Sequence, residues 1–172
     1  EGGGLSGRPL LLRIPAPPAA PGLSFRALSN PPDGYIYKLE ARSFSATYPR
    51  ALSYVDAARI GTDGKSFGGY MTLYALTYAP DVFRCGVAGA APTDWRYYDT
   101  IYTERYMRTP EANPDGYAAT NLIQQVDRLR AAPLLIHGLN DTNVHLQNSV
   151  NYIEALEAAD KPFNFIPLPN RG

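Results

Sequence analysis

The chain has 172 residues, and its sixteen Lys and Arg balance its sixteen Asp and Glu, so no net field draws it to nucleic acid or to an anionic membrane surface. Hydrophobic residues make up 45% and charged ones only 19%, a mixture that builds one buried core rather than a disordered tail. A single cysteine, Cys85, no Cys/His set at zinc spacing and no apolar run of bilayer length set aside a disulfide scaffold, a zinc module and a membrane span within these residues.

Glu1-Gly2-Gly3-Gly4 has neither a basic start nor an apolar stretch, so no signal peptide is expected there, and the compartment stays unassigned. Leu10 to Ile14 reads as a short strand. It is followed by the Pro-rich run Pro15 to Pro21, which is extended because each proline fixes φ and removes a donor. Tyr35 to Ala41 alternates and reads as a second strand. From residue 58 onward strands and helices alternate. A strand end falls at Ala58–Gly61, and Gly69–Tyr78 is a helix apolar almost all round, stopped near Pro80. Cys85–Ala90 is a small-residue strand, 119–130 a helix, and Pro133–Ile136 a buried strand. Val144–Ala159 is an amphipathic helix with Leu146, Val150 and Ile153 on one stripe, and Phe163–Leu168 a last strand that Pro167 confines to an edge or an end. Strands separated by helices predict an α/β fold with a mostly parallel sheet and helices on both faces, in one domain over 1–172. No internal repeat is present.

Gly64-Lys65-Ser66-Phe67-Gly68 stands between a strand and a strong helix, the context of a nucleophile elbow. A turn this tight would have Cβ-bearing neighbours collide two positions either side of the serine, hence the flanking glycines. The Ser66 oxygen would stand clear of the sheet, and the backbone N–H of Phe67 could face a developing oxyanion. An ordinary strand–helix turn would also use Gly and Ser. Thr62-Asp63 are polar where a central strand is usually apolar, and Lys65 sets a cation beside the serine.

A serine nucleophile needs an imidazole base and an acid that orients it, in the chain order Ser, acid, His for this kind of fold. Asp141 follows the strand ending in Leu135-Ile136-His137-Gly138, where α/β sheets gather their sites; it would equally cap the helix beginning near Val144. The two histidines are His137, expected to be packed at the strand end, and His145, four residues after Asp141. No histidine follows residue 145 in this sequence.

With these residues placed, 58–170 resembles the C-terminal part of the catalytic domain of the prolyl oligopeptidase family of serine peptidases, in its dipeptidyl peptidase IV branch. Four blocks carry the likeness: Gly64 to Tyr70; Asp94-Trp95-Arg96-Tyr97-Tyr98-Asp99 with Tyr102-Thr103-Glu104-Arg105-Tyr106-Met107; Leu135 to Gly138 with Asn143-Val144-His145; and Phe165 to Asn170. The second is the most specific. The resemblance implies an α/β-hydrolase fold, Ser66 as nucleophile, Asp141 as acid, Tyr98 and Tyr102 lining a pocket for a proline side chain, and Asn143 binding a substrate carbonyl. It implies a peptide substrate with proline near the scissile bond and no cofactor or metal. Tyr97, Tyr98, Tyr102 and Tyr106 also recur at the spacing of a packed surface helix.

The sequence departs from that pattern. Lys65 replaces an aromatic residue, and Ile14-Pro15-Ala16 stands where a Tyr-Gly-Gly-Pro-type turn would complete the oxyanion hole. Residues 1–57 read as divergent or incomplete, and neither a β-propeller nor a histidine after Asn170 is present. Two other readings therefore stand beside a proline-directed peptidase. One is a non-catalytic fragment or scaffold that exposes apolar surface and self-associates. The other is an esterase using His145 as its base. A nucleic-acid partner is not expected, because Asp94, Asp99 and Glu104 break up Arg96, Arg105 and Arg108.

Overall fold

The structure is a computed structural model, and it describes Asp56, residues 58–172 and the backbone of two short strands. Those strands, β1 (Phe25–Ala27) and β2 (Leu39–Ala41), pair antiparallel. The strand expected over Leu10–Ile14, the Pro-rich run and residues 35–38 lie outside the described residues.

The main body is a four-stranded parallel sheet in the order β3 (Gly61–Lys65), β4 (Cys85–Gly89), β5 (Pro133–Gly138), β6 (Asn164–Leu168). Its crossovers carry helices α1 (Phe67–Tyr78), α2 (Thr100–Met107), α3 (Pro114–Thr120) and α4 (Gln147–Ala158), with 3₁₀ turns at Trp95–Tyr97 and Ile123–Arg128. This is the α/β class the alternation predicts. The strand expected to end at Ala58–Gly61 instead begins at Gly61 as β3, because Asp56 closes a turn before it by accepting from the Ala58 N–H and the Arg59 side chain. Thr62 and Asp63 belong in β3 after all. It is an edge of the described sheet, and its alternate residues Gly61, Asp63 and Lys65 face water.

Register fixes which side chains share a face. Ala88 lies opposite Leu135, and Leu135 opposite Phe165. That face carries α1, whose Thr72 and Leu76 side chains leave no room for a Cβ at Gly86. It also carries α4, tied to β5 through Ser149 and His137. Tyr70, Leu73, Leu76, Ala88, Trp95, Leu122, Leu135, Tyr152 and Leu156 are all buried in one cluster. The opposite face presents Val87 and Ile166, both more than a third exposed. As expected, α1 is covered nearly all round, with Gly69, Tyr70 and 72–77 buried. It stops before Pro80, which has no amide for the ladder.

Two helices differ from expectation for identifiable reasons. The stretch 119–130 is not one helix. Asn121 turns extended after α3, and its side-chain oxygen takes the amides of Ile123 and Gln124 at 2.9 and 3.2 Å, starting a separate 3₁₀ turn. The last helix begins at Gln147 rather than Val144, and its inward face is Asn148, Ser149, Tyr152 and Leu156. Val150 is 45% exposed. Polar contacts set this rotation: the Asn148 side chain accepts from the Thr93 N–H at 2.9 Å, and the Asn148 carbonyl accepts from the Thr93 hydroxyl at 2.7 Å.

Leu156→Ala should cost about 2–5 kcal/mol of unfolding free energy through the cavity it leaves, whereas Val150→Ala should stay within about 0.5 kcal/mol. Urea titration of both variants checks this choice of face. Burial raises the Tyr70 and Tyr152 hydroxyls well above the ordinary value of 10.0. The unfolded chain therefore loses those protons first, and stability must fall as pH climbs through that ordinary value. Denaturant midpoints at rising alkaline pH should decline, and less steeply in Tyr152→Phe.

Candidate active site

Ser66 joins β3 to α1 at φ 58° and ψ −122°, a left-handed backbone that costs a serine on the order of 1–3 kcal/mol. Two hydrogen bonds hold it there. Its N–H donates to the Gly89 carbonyl at 2.8 Å, and its own carbonyl accepts from the Tyr70 N–H at 3.0 Å. The crowding differs in one detail from the expected symmetrical pair of glycines. A Cβ on Gly64 would lie 2.4 Å from the Gly68 carbonyl, and one on Gly69 would lie 2.6 Å from the Gly89 oxygen. A Cβ on Gly68 would meet open space. The turn therefore demands glycine at 64 and 69. Ser66 itself is half-buried, and Lys65 points to water.

Phe67 opens α1, so its N–H is among the first amides of the helix, which have no acceptor within it. Its ring lies 6.0 Å from that of Trp95, which in turn lies 6.0 Å edge-on to Tyr98 and 6.2 Å from Tyr102. Tyr98 and Tyr102 meet edge to face at 5.5 Å, and Tyr106 continues the row. Partial burial, then the neighbouring Tyr106 and Tyr98, raise the Tyr102 hydroxyl above its ordinary value. The four tyrosines are not one surface helix. Tyr97 closes the 3₁₀ turn, Tyr98 follows it, and Tyr102 and Tyr106 lie on α2, which Asp99 caps by accepting from the Tyr102 N–H at 2.7 Å.

Asp94 anchors this aromatic row. It is buried, caps the 3₁₀ turn through the Arg96 N–H at 2.9 Å, pairs with the Arg96 guanidinium, and accepts from the Asn121 side chain at 2.7 Å. Asp94 opens the most specific of the family-like blocks but has no site role there, and neither Asn121 nor Asn148 stands out in the sequence. Their only local signal is the preference of Asp and Asn for turns and caps.

Asp141 lies past the C-terminal end of β5. Its Oδ1 accepts from the Asn143 and Val144 amides, both at 2.9 Å, and so caps the turn before α4 rather than the helix itself, which starts after Leu146 with no side-chain cap. Oδ2 stays 3.8 Å from His137 Nε2. Asn143 Oδ1 accepts from the Tyr98 hydroxyl at 3.3 Å, bringing two of the expected substrate-binding residues together. His137 is fully buried as expected, with Nδ1 2.7 Å from Ser149 Oγ and Nε2 2.7 Å from the Val144 carbonyl. His145 is exposed on the turn before α4. The residues after β6 return to this loop: the Leu139 N–H donates to the Leu168 carbonyl at 3.1 Å, and the Asn140 N–H to the Arg171 carbonyl at 3.0 Å. Among the described residues no His/Cys/Asp/Glu group could hold a metal ion, and no helix is long and apolar enough to cross a membrane.

A parallel sheet with a strained serine between strand and helix, and a carboxylate beyond a second strand two places along, defines an α/β-hydrolase type of fold. Residues 44–172 match the model of the prolyl oligopeptidase family, and the chain belongs to that family. Among its relatives is a Neurospora crassa protein named "Probable dipeptidyl-aminopeptidase B", 50% identical over 108 residues, or 60% of this chain and 12% of that protein. A Neosartorya fischeri protein of the same name is 46% identical over 127 residues, 73% of this chain and 14% of that one. The solved structure of Porphyromonas gingivalis dipeptidyl peptidase 4 superposes with a TM-score of 0.70 at 43% identity, covering 73% of this chain and 18% of its own. The chain thus spans about an eighth of the length of these curated relatives.

Gly64→Ala should lose about 1–3 kcal/mol of stability by forcing the turn apart, while Gly68→Ala should be neutral or stabilising by up to about 1 kcal/mol from helix propensity. Thermal unfolding of the two variants side by side distinguishes them.

Proposed function

We propose that this chain carries the nucleophile and acid of a proline-directed, dipeptidyl-peptidase-like serine peptidase. The observation that carries the reading is a row of contacts from Phe67, the neighbour of Ser66, through Trp95 and the Tyr98–Tyr102 wall to Asn143, whose N–H donates to Asp141. In this reading an imidazole base takes the Ser66 hydroxyl proton as Oγ attacks the peptide carbonyl. The carbonyl electron pair moves onto oxygen, facing the Phe67 N–H, and Asp141 Oδ2 stabilises the imidazolium. The C–N bond then breaks, the imidazolium protonates the departing amine, and water hydrolyses the acyl-enzyme by the same steps. The edge-to-face tyrosines suit the flat faces of a pyrrolidine ring. The Tyr98 hydroxyl occupies Asn143 Oδ1, and in this reading the Asn143 amide nitrogen donates to a substrate carbonyl.

The base is the open role. His137 has both ring nitrogens engaged, whereas the segment after β6 runs beside Asp141, with Gly172 next to Asn140 and Asp141. The family resemblance expects its histidine beyond such a segment. The engagement of His137 supports a second reading, a peptidase-type scaffold that does not acylate, and exposed His145 keeps the esterase reading in view.

Intact mass after treatment with a fluorophosphonate separates the three. In protein that extends to the histidine the family resemblance expects, the result should be one adduct, lost in Ser66→Ala and retained in His145→Ala. A wild-type chain that takes no adduct fits the scaffold, and an adduct lost in His145→Ala fits the esterase.

A further inference from the structure

His137 is a fully buried imidazole that the proposed chemistry does not use. Its surroundings place a hydrogen on Nε2. The Val144 carbonyl can only accept, so Nε2 carries the hydrogen and donates across 2.7 Å. For a neutral ring Nδ1 is then the acceptor, and the Ser149 hydroxyl on α4 donates to it at 2.7 Å. Val144 is consequently gripped from both sides, its N–H by Asp141 Oδ1 and its carbonyl by His137. Its neighbour Asn143 gives its own N–H to that same Oδ1 and takes the Tyr98 hydroxyl. The residues 141–146 form a turn rather than regular structure, so few backbone bonds of their own hold them in place.

We propose that His137, as the neutral Nε2–H tautomer, is the positioning residue of the acid loop: by holding the Val144 carbonyl to the end of β5 it sets where Asp141 and Asn143 stand. The consequence for acyl transfer rests on the function proposed above, but the positioning does not. A lost grip frees the Asp141–Val144 turn while leaving the core of α1 intact, because the hydrogen bonds of His137 go to the turn and to α4.

The test is NMR of the full chain. Long-range proton–nitrogen spectra should show a protonated Nε2 and an unprotonated Nδ1 on His137; the opposite tautomer overturns the proposal. His137→Gln places an amide N–H near the original Nε2, whereas His137→Asn reaches only the Nδ1 position. Hydrogen exchange at Asn143 and Val144 should accelerate about tenfold or more in the Asn variant and be largely rescued by Gln, with Leu73–Leu76 protected in both. Equal protection of the turn in the two variants also overturns it. If the Asn variant fails to fold, the wild-type tautomer alone decides. None of these readouts needs Ser66 to react, so an unreactive serine would refute the proposed function and leave this result standing.

Discussion

Backbone passing backbone with no side chain between them is the constraint on which the rest of this structure depends. The end of β3, the start of α1 and the end of β4 meet around Gly64, Gly69 and Gly89, where a single added carbon at 64 or 69 would lie within 2.4–2.6 Å of a carbonyl oxygen. That closeness lets the Ser66 N–H reach Gly89, and the bond holds the serine in a backbone conformation it would not choose alone. It also puts the start of α1 at the C-terminal edge of the sheet, where the loops after β4 and β5 gather.

Above that edge, order is transmitted by two kinds of contact. Aromatic rings run from Phe67 through Trp95 to Tyr98, Tyr102 and Tyr106, giving area and shape. Buried polar groups give orientation: Asp94 fixes the turn that carries Trp95, and Asn148 ties Thr93 to α4. Because α4 also holds His137 through Ser149, the aromatic wall and the acid loop share one support. Buried hydrogen-bonded groups of this kind are costly to leave half-satisfied, so the arrangement tends to be kept or lost as a unit.

Much of this was legible from sequence because local chemistry and global fold agree there. The glycines around Ser66, the apolar run of α1 and the small residues of β4 each allow few structures. The errors came where a side chain overruled periodicity. Asn121 ended one helix early by capping the next turn, and Asn148 and Ser149 turned α4 away from the stripe containing Val150. Hydrophobic spacing carries no information about such long-range hydrogen bonds. At the site, Asp141 was readable both as a helix cap and as an acid, and its Oδ1 caps the turn that precedes α4 instead of the helix. The link from Tyr98 to Asn143 spans 45 residues and has no local sequence signature. The buried imidazole at the end of β5, His137, is committed to Val144 and Ser149.

The row of rings has a further consequence. Trp95 is the sole tryptophan of the sequence, is nearly fully buried, and touches Phe67 on one side and the Tyr98–Tyr102 wall on the other. Tyr70 lies only 5.0 Å from it, within easy range for excitation absorbed by tyrosine to pass to indole. The protein thus contains its own fluorophore at the center of the candidate site. Anything that settles between the tyrosines should change the color or intensity of that one emission, without a label and without turnover.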